Sequence, residues 1–540
     1  MGESFPSRIV ATGRGMSRRD LLKALGIGIP GAIVLAGCTP TVAPTFPSPN
    51  HSVADPAPFI DGVIAGDPLP DGSVIWTRVE PPIGGGPVGV LWTVSPDESF
   101  TTVAAGGVIT AVGDGDHCVS VRVDGLQPDR WYFYRFEADG AASRVGRLRT
   151  APLAGSSPDH LRFAYASCQQ LNPSWFVAHK AAAAEPDLAF FMHLGDYVYV
   201  SDGGTITLDD YRSVYHRWRK EPLLKDFHAK LPMVAMWDDG EFYNGYDQPP
   251  RNPPRLAAAR QAWFENMPVI NPGADRAYRS FAWGDLADIP VIDVREYRDP
   301  GTTQIDHTTG SGLDAYGPTR SILGAEQFAW LSNELVTSTA AWRMIGNGTP
   351  INPWRLVNLE FLRPFRPEMP PNAGLYTPSD GWDDFMVERR DRLQKLSDHG
   401  VSDNVFMTGQ THIYMASELR VDPDAGGPVV AYDFVSGSMT ADPDVKKSYL
   451  KDLPPDVASG VLRVAESWMV QQNPGMRQLN LEDQGYVVVD LTPEECVIEF
   501  RHIDTYNPDA EAYTGSKFRI VKGSGHIEIL QAEHQGGTLH

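Results

Sequence analysis

The run Phe191-Met192-His193-Leu194-Gly195-Asp196-Tyr197-Val198-Tyr199 has the make-up of a strand end that carries ligands. Its apolar half reads as a buried strand, and the glycine lets the chain turn before the carboxylate and the phenol. One carboxylate can bridge two cations through its two oxygens, and a phenolate is a hard anionic ligand suited to a trivalent metal. The same residues also read as a capping Asp and a core Tyr. Ala166-Ser167-Cys168 ends another apolar run. Cys168 is there either a buried, inert thiol or, beside hard oxygen donors, a thiolate ligand. Met236-Trp237-Asp238-Asp239-Gly240-Glu241 follows a third run. Adjacent acids repel unless a cation lies between them or water screens them, so Asp238 and Asp239 read as a cation site or as a solvated turn. Met407-Thr408-Gly409-Gln410-Thr411-His412 closes a later run. His412 can ligate a metal, protonate a leaving group or serve the structure alone.

These residues need strands to hold them. Apolar strand patterns occur at 161–167, 188–194, 233–237, 289–293, 344–347 and 405–408, with helical periodicity at 325–335 and 384–396. That alternation predicts an α/β domain with sheets covered by helices. Cys168, Asp196, Asp238, Asp293, Asn347 and Gln410 each follow a strand closely. Ligands in open α/β sheets bind beyond the carboxyl ends of strands, so one site is expected to gather them. Upstream, residues 55–150 hold short alternating or aromatic runs at 73–79, 88–94 and 131–136, with turn signals at Asp71-Gly72, Asp124-Gly125 and Asp139-Gly140. They predict a small all-β sandwich of immunoglobulin or fibronectin type. Residues 151–160 read as a linker, 161–505 as the catalytic domain, and 506–540 as a tail without a motif. The Pro-rich, aromatic stretch 361–382 is expected to lie over the site.

The 540-residue chain carries a formal net charge of −22, which disfavours a nucleic-acid partner or direct adhesion to an anionic membrane. Four cysteines are too few for a disulfide scaffold, and Cys118 and Cys496 read as small buried hydrophobes. Ser17-Arg18-Arg19-Asp20-Leu21-Leu22-Lys23 reads as a twin-arginine export signal. The apolar stretch after it, 24–37, is shorter than the ~20 residues that span a bilayer. Leu35-Ala36-Gly37-Cys38 resembles a lipobox, which makes Cys38 the expected lipidated first residue of the mature chain. Residues 1–37 are then a signal peptide handled by the twin-arginine export machinery, and the Pro/Thr/Ser-rich 38–54 is a tether. The expected location is outside the cytoplasmic membrane, held there through the lipid on Cys38.

Taken together, the motifs resemble the alkaline phosphatase D-like family, metallophosphoesterases related to purple acid phosphatases. The resemblance spans about residues 55–505. It includes Gly62-Val63-Ile64-Ala65-Gly66-Asp67-Pro68-Leu69-Pro70-Asp71, Asp209-Asp210-Tyr211-Arg212 and Ile292-Asp293-Val294-Arg295-Glu296-Tyr297-Arg298. Ile322-Leu323-Gly324-Ala325-Glu326-Gln327 with Trp330-Leu331, and Trp342-Arg343-Met344-Ile345-Gly346-Asn347, complete it in order. The resemblance implies a metallophosphoesterase-like sandwich of two mixed sheets flanked by helices, behind the small β-domain. It implies ferric iron and calcium as cofactors and a small phosphate ester as substrate. Carried over motif by motif, Cys168, Asp196 and Tyr199 are implied iron ligands, with Asp196 bridging to calcium. Asp238, Asp239 and Asn347 are implied for calcium, His412 as a ligand or leaving-group acid, and Arg212 and Arg295 as phosphoryl binders or structural ion pairs.

Two positions depart from the family pattern. The paired-Asp motif normally continues with His, where this chain has Gly240, and the late Gly-Asp-x-His motif has Gln410 in place of Asp. An amide oxygen can coordinate calcium but brings no charge. The iron half of the site therefore reads as retained and the calcium half as altered. The expected function is an exported, metal-dependent phosphomono- or phosphodiesterase; the alternative is a lipid-anchored binding protein on a phosphatase scaffold, impaired at Gly240 and Gln410.

Overall fold

The structure is a computed structural model that describes residues 55–171, 174–200, 204–246, 253–271, 276–302, 305–307, 310–376, 380–443 and 450–532. The signal peptide, the tether and Cys38 lie outside the described residues.

Strand alternation builds two mixed sheets. In the first, Leu161–Ala166, Phe191–Leu194 and Met233–Met236 run parallel side by side. Gln484–Leu491 pairs antiparallel with Leu161–Ala166, and Glu495–Ile503, Tyr513–Val521 and Glu528–Ala532 continue that edge. In the second, the order is Arg279–Trp283, Ala287–Val291, Trp342–Asn347, Asn404–Thr408, Ala431–Val435, Tyr414–Leu419 and Met476–Asn480.

Each strand splits its side chains between two cores, because successive side chains point to opposite faces. Phe163, Tyr165, Met192, Leu194, Val234 and Met236 meet Trp342, Met344, Val405 and Met407 between the sheets. Ala164, Ala166, Phe191, Met233 and Ala235 face the other way. There they pack under the helices Val177–Ala182, Leu208–Arg219, Pro222–Lys230 and Pro253–Asn266. Helices Gly324–Thr337 and Met386–Asp398 cover the outer face of the second sheet through Ile345 and Phe406. Burying one such aliphatic or aromatic side chain contributes about 1.5–3 kcal/mol, and a one-residue register slip would exchange side chains between the two cores and misfit both. Two mixed sheets with helices outside are what the alternation and the resemblance led one to expect.

The expected partition differs in two places. Residues 63–149 hold strands and one short 3-10 turn, but the module does not stand apart from the rest. Val63–Leu69, Gly72–Arg78 and Cys118–Val123 extend the first sheet, joined to it by the Gly66–Met233 pair. The strands Val88–Ser95, Ala105–Ala111, Trp131–Ala138, Ala141–Ala142 and Gly146–Arg149 form the facing sheet. A buried Arg279–Asp67 ion pair, 2.7 Å, ties the module to the second sheet. Sharing a sheet removes an exposed strand edge, which an isolated sandwich would have to protect. The second difference lies beyond residue 505. Residues 513–532 are no tail, since they supply two strands that place Phe518 and Ile520 in the core between the sheets.

Candidate active site

The polar residues that end the strands converge at one end of the sandwich. Four of them, Cys168 (φ 63°), Asp196 (φ 56°), Gln410 (φ 73°) and His412 (φ 52°), adopt left-handed backbone. That conformation is costly for residues with a Cβ and concentrates at functional sites. Here it turns each chain sharply, so that the side chain projects past its strand. Gly195 makes the closest approach: a Cβ there would lie 2.5 Å from the Asp238 Cβ.

Two groups of donors result, and they share Asp196. In the first, Cys168, Asp196 and His412 place ligand atoms within 4.8 Å of one another, all buried. Cys168 Sγ lies 3.5 Å from Asp196 Oδ2 and 3.0 Å from Ser167 Oγ. The half-buried Tyr199 joins them, its hydroxyl 3.3 Å from His412 Nε2. His412 Nδ1 lies 2.8 Å from the Asp442 carbonyl. A carbonyl only accepts, so Nδ1 carries the proton and Nε2 presents its lone pair to the group. Burial pushes the Cys168 thiol well up, and Asp196 adds to the shift.

The second group is Asp196, Asp238 and Asp239, again with ligand atoms within 4.8 Å. Burial, then Asp239, Asp238 and Glu241, hold the Asp196 carboxyl well above the usual carboxylate range. Burial raises Asp238 as well, against the pull of Arg295. Buried acids this close need a cation among them. One is built in. The fully buried Arg295 donates from Nε to Asp238 Oδ1 and from Nη1 to Asp380, with Nη2 3.8 Å from Asp239 Oδ1. Burial works against the Arg295 charge, but Asp238, Asp380 and Asp239 outweigh it and hold the guanidinium protonated. The Gln410 amide, oriented by its hydrogen bonds, donates from Nε2 to Asp238 Oδ2 (2.7 Å) and accepts at Oε1 from Arg295 Nη2 (3.1 Å).

Gly240 is not a hole left by a missing side chain. Its N–H donates to Asp196 Oδ1 at 2.8 Å, and its carbonyl accepts from Val200 N at 3.1 Å. A Cβ at this position would lie 2.6 Å from Asp196 Oδ1 and 2.7 Å from the Val198 carbonyl. The loop has closed onto Asp196.

Three expected site residues take other roles. Arg212 is not in the site: its guanidinium makes a two-bonded pair with Glu265 (2.8 and 2.7 Å) and donates to the Asp114 carbonyl, joining helix Leu208–Arg219 to the β-module. Arg295 is in the site but buried, with its donors turned to Asp238, Asp380, the Tyr246 carbonyl and Asp239. Asn347 also arrives, yet its amide donates to the Thr349 carbonyl and Thr408 Oγ1, while its oxygen accepts from Trp382 Nε1 at 3.4 Å. It anchors a loop in this structure. From the stretch 361–382, Asp380 reaches the site through Arg295, Trp382 reaches it through Asn347, and Gly381 lines a cavity beside Gln410.

Glu241 is the functional residue that motif reading passed over. Its carboxylate accepts from the backbone N–H groups of Asp196 (3.1 Å), Tyr197 (2.7 Å) and Asp238 (2.8 Å). It clamps the two ligand-bearing loops together from behind. Its place beside Asp238 and Asp239 was the available signal.

Comparison with known proteins fits this geometry. Residues 163–500 match the family described as PhoD-like phosphatase, and residues 45–152 match the PhoD-like phosphatase N-terminal domain. Alkaline phosphatase D of Bacillus subtilis (strain 168) is 30% identical over 99% of this chain and 92% of its own. A solved structure of PhoD superposes with a TM-score of 0.75 at 28% identity, covering 92% of this chain and 95% of that one.

Proposed function

We propose a metal-activated phosphoesterase mechanism for this chain, which belongs to the PhoD-like phosphatase family and is a hydrolase of phosphoric esters. The observation that carries the proposal is the pair of donor groups sharing Asp196. A thiol, a carboxyl, a phenol and an imidazole with its Nε2 lone pair turned inward fit one tightly held ion of the ferric kind at Cys168, Asp196, Tyr199 and His412. A hard cation bound there supplies positive charge to the phosphoryl oxygens and acidifies the attacking water.

The chain itself supplies position and electrostatics, as phosphoryl transfer requires. Glu241 fixes the spacing of the Asp196 and Asp238 loops. The Asp442 carbonyl accepts from His412 Nδ1 and so turns Nε2 toward the donor group. The inward Nε2 lone pair suits His412 to ligation. For calcium, Asp238 and Asp239 are suited in type, but their surroundings do not fit a second resident ion, because Arg295 already stands between them.

The rest of the reading comes from sequence alone: twin-arginine export, a lipid on Cys38 and an extracytoplasmic location acting on small phosphate esters. Among the described residues, no helix is long and apolar enough to cross a membrane.

The test is direct. The folded, exported protein is purified, its iron and calcium are measured, and aryl phosphate mono- and diesters are assayed before and after chelation and metal return. We expect chelation to abolish hydrolysis and iron to restore it, with Tyr199→Phe losing both iron and rate. Protein that stays inactive when iron and calcium are supplied would sink the proposal and leave the impaired binding protein as the reading.

A further inference from the structure

We infer that Arg295 is the resident cation of the acidic group and that Gln410 is the residue that seats it there, so that of the two donor groups only Cys168, Asp196, Tyr199 and His412 hold a tight metal ion. The inference rests on the metal-activated reading above.

The contacts of Asp238 carry it. Both of its oxygens are already taken, Oδ1 by Arg295 Nε and Oδ2 by Gln410 Nε2. Arg295 spends its remaining donors on Asp380, on the Tyr246 carbonyl at 3.2 Å, on Gln410 Oε1 and toward Asp239. It reaches no solvent. A metal ion entering between Asp238 and Asp239 would meet a guanidinium already in place, desolvated and of like charge. It would have to break a fork whose flat geometry is matched on each side.

Gln410 fits that arrangement and an aspartate would not. The residue between Asp238 and Arg295 must donate to a carboxylate at one end and accept from a guanidinium at the other. An amide does both, whereas a carboxylate only accepts. With Asp at 410 its oxygens would face those of Asp238, and a cation between the two would relieve the repulsion. The exchange of Asp for Gln and the inward placement of Arg295 are thus two sides of one arrangement.

The measurement is metal stoichiometry on the purified full chain, without reference to turnover. Wild-type protein is equilibrated at micromolar free calcium, passed through gel filtration and analysed for iron and calcium. Calcium affinity is then measured by equilibrium dialysis for wild type, Gln410→Asp and Arg295→Lys, with near-ultraviolet circular dichroism to confirm folding. We expect iron but less than 0.2 calcium per chain in the wild type, and a calcium affinity at least tenfold higher in Gln410→Asp. Arg295→Lys, which keeps the charge and loses the fork, should bind calcium more tightly than wild type and less tightly than Gln410→Asp. One calcium per wild-type chain would overturn the inference, as would a folded Gln410→Asp protein with wild-type calcium affinity. Iron content reads the functional proposal and calcium content reads this one, so the two can fail separately.

Discussion

Replacing Gly240 by alanine adds one carbon at a tightly closed point of the site. That carbon would sit 2.6 Å from Asp196 Oδ1, about 0.8 Å inside an ordinary 3.4 Å contact, and 2.7 Å from the Val198 carbonyl. Neither neighbour can retreat freely. The Gly240 N–H holds Asp196, and the Val200 N–H holds the Gly240 carbonyl, so swinging the loop outward breaks both hydrogen bonds. Overpacking of this kind costs about 1–3 kcal/mol of stability. Asp196 belongs to both donor groups, so moving it disturbs both. A misplacement of 1 Å can cost about 100-fold in rate. We expect Gly240→Ala to lower kcat/KM on an aryl phosphate ester at least tenfold, to lose iron on gel filtration and to unfold at lower urea. Gly460→Ala is the control: this glycine lies inside helix Pro455–Gln472, with nothing within 4 Å of its would-be Cβ. It should gain about 0.5–1 kcal/mol. A Gly240→Ala protein with wild-type iron content and kcat/KM within twofold would refute the reasoning.

Two further outcomes follow from buried groups near the site. Glu241→Ala leaves the N–H groups of Asp196, Tyr197 and Asp238 buried without an acceptor, at about 1–3 kcal/mol each. Urea unfolding should show a loss of at least ~3 kcal/mol, and a loss under ~1 kcal/mol would show that Glu241 is no clamp. His193 is fully buried under the Asp196 loop, and burial depresses its pKa to about 3. Its unfolded pKa is about 6.5, so below that pH the unfolded chain binds more protons. The stability contribution present above pH 6.5 is therefore lost as pH falls toward 3, at ~1.4 kcal/mol per unit and on the order of 5 kcal/mol in all. Urea midpoints between pH 7 and 5 should fall less steeply for His193→Phe than for wild type, and equal slopes would exclude His193 as the cause.

Much of the architecture was legible in the residue pattern, and the exceptions have physical causes. The strands at 161–166, 191–194, 233–236, 342–347 and 404–408 announce themselves because each is apolar and ends in a polar turn. Residues 513–521 alternate Lys517, Phe518, Arg519 and Ile520, a half-buried strand pattern that carries no family motif. The β-module looked separable because its own alternation closes a small core, and the pairing of Gly66 with Met233 leaves no local trace. Arg212 illustrates the same limit. Beside Asp209-Asp210-Tyr211-Arg212, Thr207 caps the helix by accepting from Asp210 N–H, Asp210 accepts in return from Thr207 N–H, and Arg212 points away to Glu265. The motif is real, but its work is structural.

Sequence by itself determined the inventory: Cys168, Asp196, Tyr199, Asp238, Asp239 and His412 at strand ends, and the substitutions at Gly240 and Gln410. Strand periodicity and turn chemistry are local, so they can be read along the chain. Only the tertiary structure decided which donors meet. It made Asp196 the residue common to both groups, turned Nε2 of His412 inward, and closed the Gly240 loop. It also placed Arg295 between Asp238 and Asp380. Those outcomes depend on contacts between residues tens to hundreds of positions apart, whose charges and close approaches exist only once the two sheets have packed.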